Sequence, residues 1–392
     1  MKQAVILAAG EGQRLRPFTV NRPKVMLTVA DKPILQYVIE ALAKSGFRSI
    51  VLVVGYHREQ IYDAIGSGEQ LEVDIKYVTQ EKQLGTAHAL AQAKDIMEDE
   101  FLVLPGDNLI TSDTLAEVND IQPEAVVVKR VANPSGYGVV AIERGKVRSV
   151  IEKPKETGSN MVNTGIYLLN RDVFNFIEEP LLDIPDVLNE MLGRGHIING
   201  LETSGPWLDV VYPWDILKLN DTVLRQVQAV QGGTIEAGVT MKGQVAVGKD
   251  TIVRSGTYII GPAVIGTGCD IGPGVSIMPA TSIGNNVVVS SFTEIKNSVI
   301  GDDVNIGSGS MIQDSVIDNG CIIAGRFTGG SGPGEVKVDS EYHQVHVGAM
   351  LGEHCEIGHG VVMQPGAIVG NYSKVQSLKL VSGRLPDRSI VV

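Results

Sequence analysis

The hydrophobic positions of the chain follow two different periods. Up to residue 230, short apolar runs rich in Val, Ile and Leu (4–9, 49–54, 101–105 and 125–128) alternate with stretches of helical spacing such as 34–45 and 87–97. Strands alternating with helices predict a parallel or mixed sheet covered on both faces. Ligands of such sheets lie beyond the carboxyl ends of the strands, which directs attention to the segments after Ala8, Val54 and Pro105.

From Gln231 onward an aliphatic residue returns every six positions: Val247, Val253, Ile259, Ile265, Ile271, Ile277, Ile283, Val289 and Ile295. Two five-residue steps shift the register, at Ile300 and at Ile317, and the pattern resumes at Val345 to run through Leu351, Ile357, Met363, Val369, Val375 and Val381. So regular a repeat predicts a solenoid of short stacked strands, with the aliphatic residues in an interior column and small residues at the corners. Residues 325–344, containing Gly-Gly-Ser-Gly-Pro-Gly, interrupt the repeat and predict a loop projecting from one coil. Such a loop is either functional or a plain surface excursion. The expected organisation is a domain over 1–230 and a solenoid over 231–392 with the loop inserted at 325–344.

Composition sets limits on this picture. A chain of 392 residues exceeds the usual size of one core, which fits two domains. Its 45 glycines beside only 5% aromatic residues suit repeated tight turns better than a large aromatic core. A net charge of −12 without any block of Lys and Arg argues against a duplex-binding surface, so no nucleic-acid partner is expected. The apolar run 4–9 is too short for a secretory leader or a membrane span, so the expectation is a cytoplasmic protein with no membrane partner. Cys269, Cys321 and Cys355 lie far apart and form neither a disulfide framework nor a zinc knuckle.

The first predicted strand runs through Leu7 and Ala9 directly into Gly10-Glu11-Gly12-Gln13-Arg14-Leu15-Arg16-Pro17. Glycines there let the backbone approach a phosphate, and an arginine fork grips its oxygens. The loop is not a Walker A motif, since Gly-Lys-Ser/Thr is missing, and Leu15 stands where GxGxxG needs its third glycine. Gly10 and Gly12 alone are equally a tight turn. The full string, Gly10-x-Gly12-x-Arg14-Leu15-Arg16-Pro17-x-Thr19 followed by Pro23-Lys24, resembles the signature of the sugar-1-phosphate nucleotidylyltransferases. The resemblance covers the first half of the chain, and the hexapeptide half is similar to that of the family's bifunctional members.

The resemblance implies a Rossmann-like nucleotidyltransferase domain, α/β with a mixed, mostly parallel sheet, followed by a left-handed parallel β-helix. It implies UTP or dTTP and a hexose 1-phosphate as partners, Mg²⁺ as cofactor, and a homo-oligomer, a trimer or its multiple. Leu7, Ala9, Gly10 and Gly12 would line the nucleotide, and Gln80, Gly85 and Thr86 would read the pyrimidine. A Gln amide suits that task because it carries both donor and acceptor; Thr86 as a helix N-cap is the plainer alternative. Asp107 in Gly106-Asp107 and Asp209 in Trp207-Leu208-Asp209 would hold the metal, the family carrying Asp or Asn at the second position. Gly138, Glu152 and Asn163 would bind the sugar. Arg14, Lys24 and Lys153 would supply the catalytic positive charge. Outside the family order, Glu152 and Lys153 read as an exposed ion pair and Asn163 as a strand-end turn.

The implied reaction is in-line attack of a sugar phosphate oxygen on the α-phosphorus, with pyrophosphate leaving. In the bifunctional relatives the β-helix also acetylates an amino sugar with acetyl-CoA, using a His and a Tyr. Ser308 and Met311 stand at the matching positions here, so acetyl transfer and acetyl-CoA are expected only if His343, His346, His354 or His359 substitutes. Three functions are therefore open: a nucleotidyltransferase with a structural or regulatory solenoid, a bifunctional enzyme, and a non-catalytic regulatory subunit. Retention of Arg14, Lys24, Asp107 and Asp209 together speaks against the third.

Overall fold

Residues 4–8 of the first apolar run lie within the strand Gln3–Ala8, at the heart of a nine-stranded sheet. In a computed structural model of the chain, which describes residues 3–118, 121–154 and 158–392, the sheet order is Asp74–Thr79, Ser49–Val54, Gln3–Ala8, Glu100–Pro105, Met161–Asn170, Ala125–Arg130, Asn199–Glu202, Lys146–Ile151 and Val139–Glu143. The first four strands are parallel. Met161–Asn170 runs antiparallel to both its neighbours and makes the sheet mixed.

Both faces are covered, as near-continuous apolar strands require. Ala4, Ile6 and Ala8 pack with Leu35, Val38, Ile39 and Leu42 of the helix Ile34–Lys44, whose apolar residues fall on one stripe. Val5, Val51 and Val103 face the other way, onto Ala87 and Leu90 and onto Val187, Leu188 and Met191 of the helix Ile184–Gly193. The stretch predicted as one helix over 87–97 is instead the short helix Thr86–Ala91 and a separate 3-10 turn, Lys94–Ile96. Ala8 is in register with Val54 and Leu7 with Pro105, so the strand ends singled out from the sequence share one edge.

The second period builds a left-handed parallel β-helix with three faces, two of nine strands and one of eight. Val247, Ile265, Ile283, Ile300, Ile317, Leu351 and Val369 pair rung upon rung on one face. Val253, Ile259, Ile271 and Ile277 join them in a continuous, fully buried interior. A ladder of Asn and Asp side chains reinforces one edge. Asn285, Asp302, Asn319, Asn371 and Asp387 accept the backbone N–H of Thr267, Asn285, Asp302, Glu353 and Asn371, at 2.6–2.9 Å. Each bond satisfies an amide at a corner where the strand ladder has ended.

The interruption in the repeat is not an irregular loop. Thr328–Gly329 still belongs to the solenoid, after which Gly332–Val338 and Glu341–Val347 form a seven-by-seven antiparallel hairpin. Val345 lies in this hairpin, opposite Gly334, and the coils resume at Met350–Leu351. Buried Val336 and Val338 supply a period of two, masked in the sequence by the neighbouring glycines and Pro333.

The chain divides into two compact units. One comprises Met1–Glu11, Arg22–Met26 and Ile34–Asp209; the other comprises Gly12–Asn21, Leu27–Pro33 and Val210–Val392. In the second, Asn220 on the helix Asp215–Leu224 is fully buried. Its Oδ1 accepts from the Ala30 amide at 2.9 Å and its Nδ2 donates to the Ala280 carbonyl at 3.0 Å. Both alanines have positive φ, 55° and 64°, a conformation that needs outside support in a residue with a Cβ. Asn220→Leu leaves both groups buried and unpaired and is expected to cost about 2–4 kcal/mol. Calorimetry should show this as a lowered melting temperature for the transition that contains the solenoid.

Candidate active site

Asp107 follows the strand Glu100–Pro105 at a turn that only a small residue permits. A Cβ on Gly106 would lie 3.1 Å from Ile6 and Val25 side chains, and the Gly106 amide donates to the Leu7 carbonyl at 2.9 Å. Asn108–Ile110 then pairs antiparallel with Trp207–Asp209, setting Asn108 opposite Asp209. Two carboxylates a hundred residues apart in sequence thus meet around one lysine. Lys24 Nζ stands 2.5 Å from Asp107 Oδ2 and 3.5 Å from Asp209 Oδ1, and is only 14% exposed.

Burial pulls the Lys24 ammonium toward deprotonation, but Asp107 and Asp209 outweigh it and hold the pKa above its ordinary 10.5. The sign is that of a group charged in the folded state. Its contribution to stability is complete below pH 10.5 and is lost only as pH climbs through the raised value. Asn108, with its amide turned so that nitrogen faces the acids, donates to Asp209 at 2.9 Å and Asp107 at 3.2 Å. In that orientation its oxygen accepts from Trp207 Nε1 at 3.1 Å.

A second group gathers the sugar-side candidates. The Asn163 amide donates to the Gly138 carbonyl at 2.8 Å, and the Lys153 amide to the Tyr137 carbonyl at 3.2 Å. A Cβ on Gly138 would stand 2.8 Å from Glu152 Oε2 and 3.5 Å from Asn163 Cβ, so glycine leaves that carboxylate its space. Asn163 Nδ2 donates to the buried Tyr167 hydroxyl at 2.6 Å. Burial raises the Tyr167 pKa against that hydrogen bond, keeping the phenol neutral. Lys153 Nζ lies 3.9 Å from Glu152, a loose exposed contact of little energetic weight that leaves the ammonium usable.

Trp207 joins the two groups. Its ring meets Tyr137 edge-on at 5.4 Å, and its indole N–H also reaches the Thr164 carbonyl at 3.1 Å. The sequence marked Trp207 only as a neighbour of Asp209 and did not mark Asn108 at all. Neither has a signal in its own right, because each acts through pairing across the short ladder.

The pyrimidine-side candidates form a third group. Gln80 is 3% exposed, and its Nε2 lies 3.1 Å from the Gly85 carbonyl and 2.9 Å from His88 Nδ1. The Gln80 amide is thus held in place by the start of the helix Thr86–Ala91. Gly85, not Thr86, is the N-cap of Thr86–Ala91. Gly85 has φ 143°, and a Cβ there would be 2.3 Å from the Leu182 carbonyl oxygen, which excludes a side chain. The Thr86 hydroxyl is turned to Asp183 Oδ1 at 3.2 Å and accepts from the Ile184 amide at 2.9 Å.

Along the opening loop, Ala9 is buried with its carbonyl bonded to the Tyr56 amide, while a Cβ on Gly10 would meet nothing within 4 Å. Gly10 is thus bare for lack of anything to pack against, unlike Gly106 or Gly138. Gly12 needs its positive φ of 73°, and its carbonyl accepts from Leu15 N and the Thr19 hydroxyl. Gly12 and Arg14 belong to the second compact unit, where Arg14 Nε pairs with Asp339 Oδ2 at 3.1 Å.

In the solenoid, Ser308 Oγ has Ser291 Oγ 3.4 Å away, and Met311 sits on a rung between Glu294 and Thr328. The four candidate histidines have different neighbours, and His346 lines a cavity with Trp214 and Leu217. His343 lies against Tyr212 and Trp214, His354 stacks on Tyr372, and the His359 amide bonds Ser377 Oγ. Among the described residues no three His, Cys, Asp or Glu side chains form a metal-binding group, and no helix is long and apolar enough to cross a membrane. Two adjacent carboxylates that already hold a cation nevertheless suit a hard dication whose remaining ligands are phosphate oxygens and water.

Paired acids beyond the carboxyl ends of the strands of an α/β sheet stand where ligands of such sheets bind. The family model for nucleotidyl transferases matches residues 3–226, and that for the GMPPB C-terminal domain matches 259–328. The bifunctional protein GlmU of Methanococcus maripaludis is 33% identical over an alignment covering 99% of this chain and 96% of that protein. The bifunctional sugar-1-phosphate nucleotidylyltransferase/acetyltransferase of Sulfurisphaera tokodaii is 32% identical, with 95% of each chain covered. A crystal structure described as a putative glucose-1-phosphate thymidylyltransferase from Bacillus anthracis, in complex with sucrose, matches with a TM-score of 0.53 at 30% identity. It covers 58% of this chain and 97% of that one. The chain belongs to the nucleotidyl transferase family, and within it to the sugar-1-phosphate nucleotidyltransferases. Its substrates are a nucleoside triphosphate and a sugar phosphate, and enzymes of this family generally depend on a divalent metal.

Proposed function

We propose that the protein transfers UMP or dTMP from UTP or dTTP to glucose 1-phosphate or N-acetylglucosamine 1-phosphate, releasing pyrophosphate. The observation that carries this reading is the closed charge arrangement of Lys24 between Asp107 and Asp209. Asp107 and Asp209 would hold Mg²⁺, which when bound neutralises phosphate charge and favours the loss of pyrophosphate. The rest is done by this chain's own groups. Leu7, Ala9, Gly10 and Gly12 line the nucleotide, and Gln80, Gly85 and Thr86 meet the base. Glu152 and Asn163 take sugar hydroxyls or a 2-acetamido group beside Gly138, and Lys153 steadies the sugar phosphate; the Gln80 amide can meet a pyrimidine edge as donor or acceptor. Lys24 and Arg14 offset the repulsion between two anionic substrates, Lys24 at the α-phosphate and Arg14 at the leaving pyrophosphate. A phosphate monoester is already an anionic nucleophile at neutral pH, so no general base is required.

The solenoid in this reading is structural, assembling the chain into a trimer or its multiple, and the charged substrates place the reaction in the cytoplasm. Acetyl transfer is not part of it, although the full-length relatives are named bifunctional. Ser308 cannot take a proton near neutral pH, and acetyl transfer would need His343, His346, His354 or His359 in its place. The deciding experiment is a matrix of four triphosphates against several sugar 1-phosphates, read by pyrophosphate release, with acetyl-CoA and glucosamine 1-phosphate as a further arm. Turnover is expected with a pyrimidine triphosphate and no loss of the free amine. Preference for a purine triphosphate overturns the base assignment, and amine loss overturns the structural role of the solenoid.

A further inference from the structure

Within the second compact unit, solenoid side chains fasten the segment Gly12–Asn21 at four points. Asn371, 2% exposed, donates through Nδ2 to the Pro17 carbonyl at 3.2 Å. Arg384 Nη2 donates to the adjacent Arg16 carbonyl at 3.0 Å. At the hairpin turn, Asp339 takes Arg14 Nε at 3.1 Å, and Glu353 takes Asn21 Nδ2 at 2.8 Å. The coil backbone also meets the loop directly, since a Cβ on Gly352 would stand 3.0 Å from Pro17 Cβ.

Asn371 carries the most information. The Asn/Asp ladder of the solenoid asks only for an acceptor, and Asp302 and Asp387 provide one as well as any amide. Asn371 meets that need with Oδ1, which accepts from Glu353 N, and adds a donor that reaches out of the ladder to Pro17. An aspartate would serve the coil equally; the amide serves the loop.

We propose that the last coils and the hairpin are a positioning element for nucleotidyl transfer. Asn371 and Arg384 fix the backbone of Arg16-Pro17, and Asp339 aims Arg14. The contact to Asp339 uses Nε, and a guanidinium held there presents its Nη1–Nη2 edge to phosphate oxygens. The proposal rests on the reading of Arg14 as a triphosphate ligand. The solenoid is then a working part of the transferase reaction without chemistry of its own.

The test uses the whole chain and the variants Asp339→Ala, Arg384→Ala and Asn371→Asp, with KM and kcat measured separately for each substrate. The KM for the triphosphate is expected to rise about 3- to 10-fold in each, the scale of one lost hydrogen bond. The KM for the sugar 1-phosphate and the melting temperatures of Asp339→Ala and Arg384→Ala, both at exposed positions, should not move. Unchanged triphosphate KM in an active enzyme overturns the positioning role, as does a parallel rise in both KM values. Should Asn371→Asp fail to fold, the two surface variants decide. A wild-type chain that turns over no triphosphate overturns the underlying reading of the loop, and the positioning role with it.

Discussion

Lys24→Ala is expected to lower kcat by about 10²- to 10³-fold, the usual loss when one preorganised charge donor is removed from a developing anion. Folding should suffer far less. The lysine approaches Asp107 and Asp209 at a site where those carboxylates are still 25% and 22% exposed, so losing it leaves them within reach of water and cations. Asn108 would continue to donate to both. When no metal is bound, the two carboxylates hold the Lys24 charge to beyond pH 10.5, and phosphate oxygens would take over that task in turnover. The loss in kcat should therefore be the same at about pH 6 as at about pH 9, where a titrating group would give a pH-dependent ratio. Pyrophosphate release alongside calorimetry measures both quantities. A drop in melting temperature that tracks the drop in kcat would show Lys24 to be chiefly a structural counter-ion.

The architecture was written in the periods of the sequence to an unusual degree. A six-residue repeat demands stacked coils with one inward position per face, so the column from Val247 to Ile323 and from Leu351 to Val381 was legible, while Val345 fell in the hairpin. The hairpin Gly332–Val347 was not legible as a hairpin. Its alternation is short, and Gly332, Pro333 and Gly334 sit where strand formers are usual. The site divides along similar lines. Asp107, Asp209 and Lys24 stand out only through the motif order shared with the family, because an Asp at a strand end is by itself a common surface residue. Asn108 and Trp207 do not, since their roles depend on a three-residue ladder between segments a hundred positions apart. Thr86 misled for a related reason. A threonine opening a helix has the composition of a cap, but Gly85 is pressed so close to the Leu182 carbonyl that the cap falls on the glycine and the threonine turns to Asp183.

Asp107→Asn and Asp209→Asn should differ, although both carboxylates are proposed to serve one Mg²⁺. Asp107 sits on the tight turn after Gly106, closest to Lys24, and its strand fixes it from both sides. Asp209 stands a further ångström from the ammonium at the end of a three-residue strand. An asparagine keeps a carbonyl oxygen that a hard cation accepts, and the resemblance to the family implies that the second position tolerates it. Asp107→Asn is therefore expected to lose about 10³-fold in kcat, and Asp209→Asn roughly tenfold, most of it regained at high magnesium. Titration of free Mn²⁺ by its electron paramagnetic resonance signal gives a readout independent of turnover. Weaker binding is expected in both variants, with the larger loss at Asp107. Equal losses in kcat that magnesium does not relieve would mean that the pair serves to hold Lys24 rather than a metal. Lys24→Ala would then mimic either variant instead of exceeding the milder one, so the three substitutions together separate a cation site from a clasp.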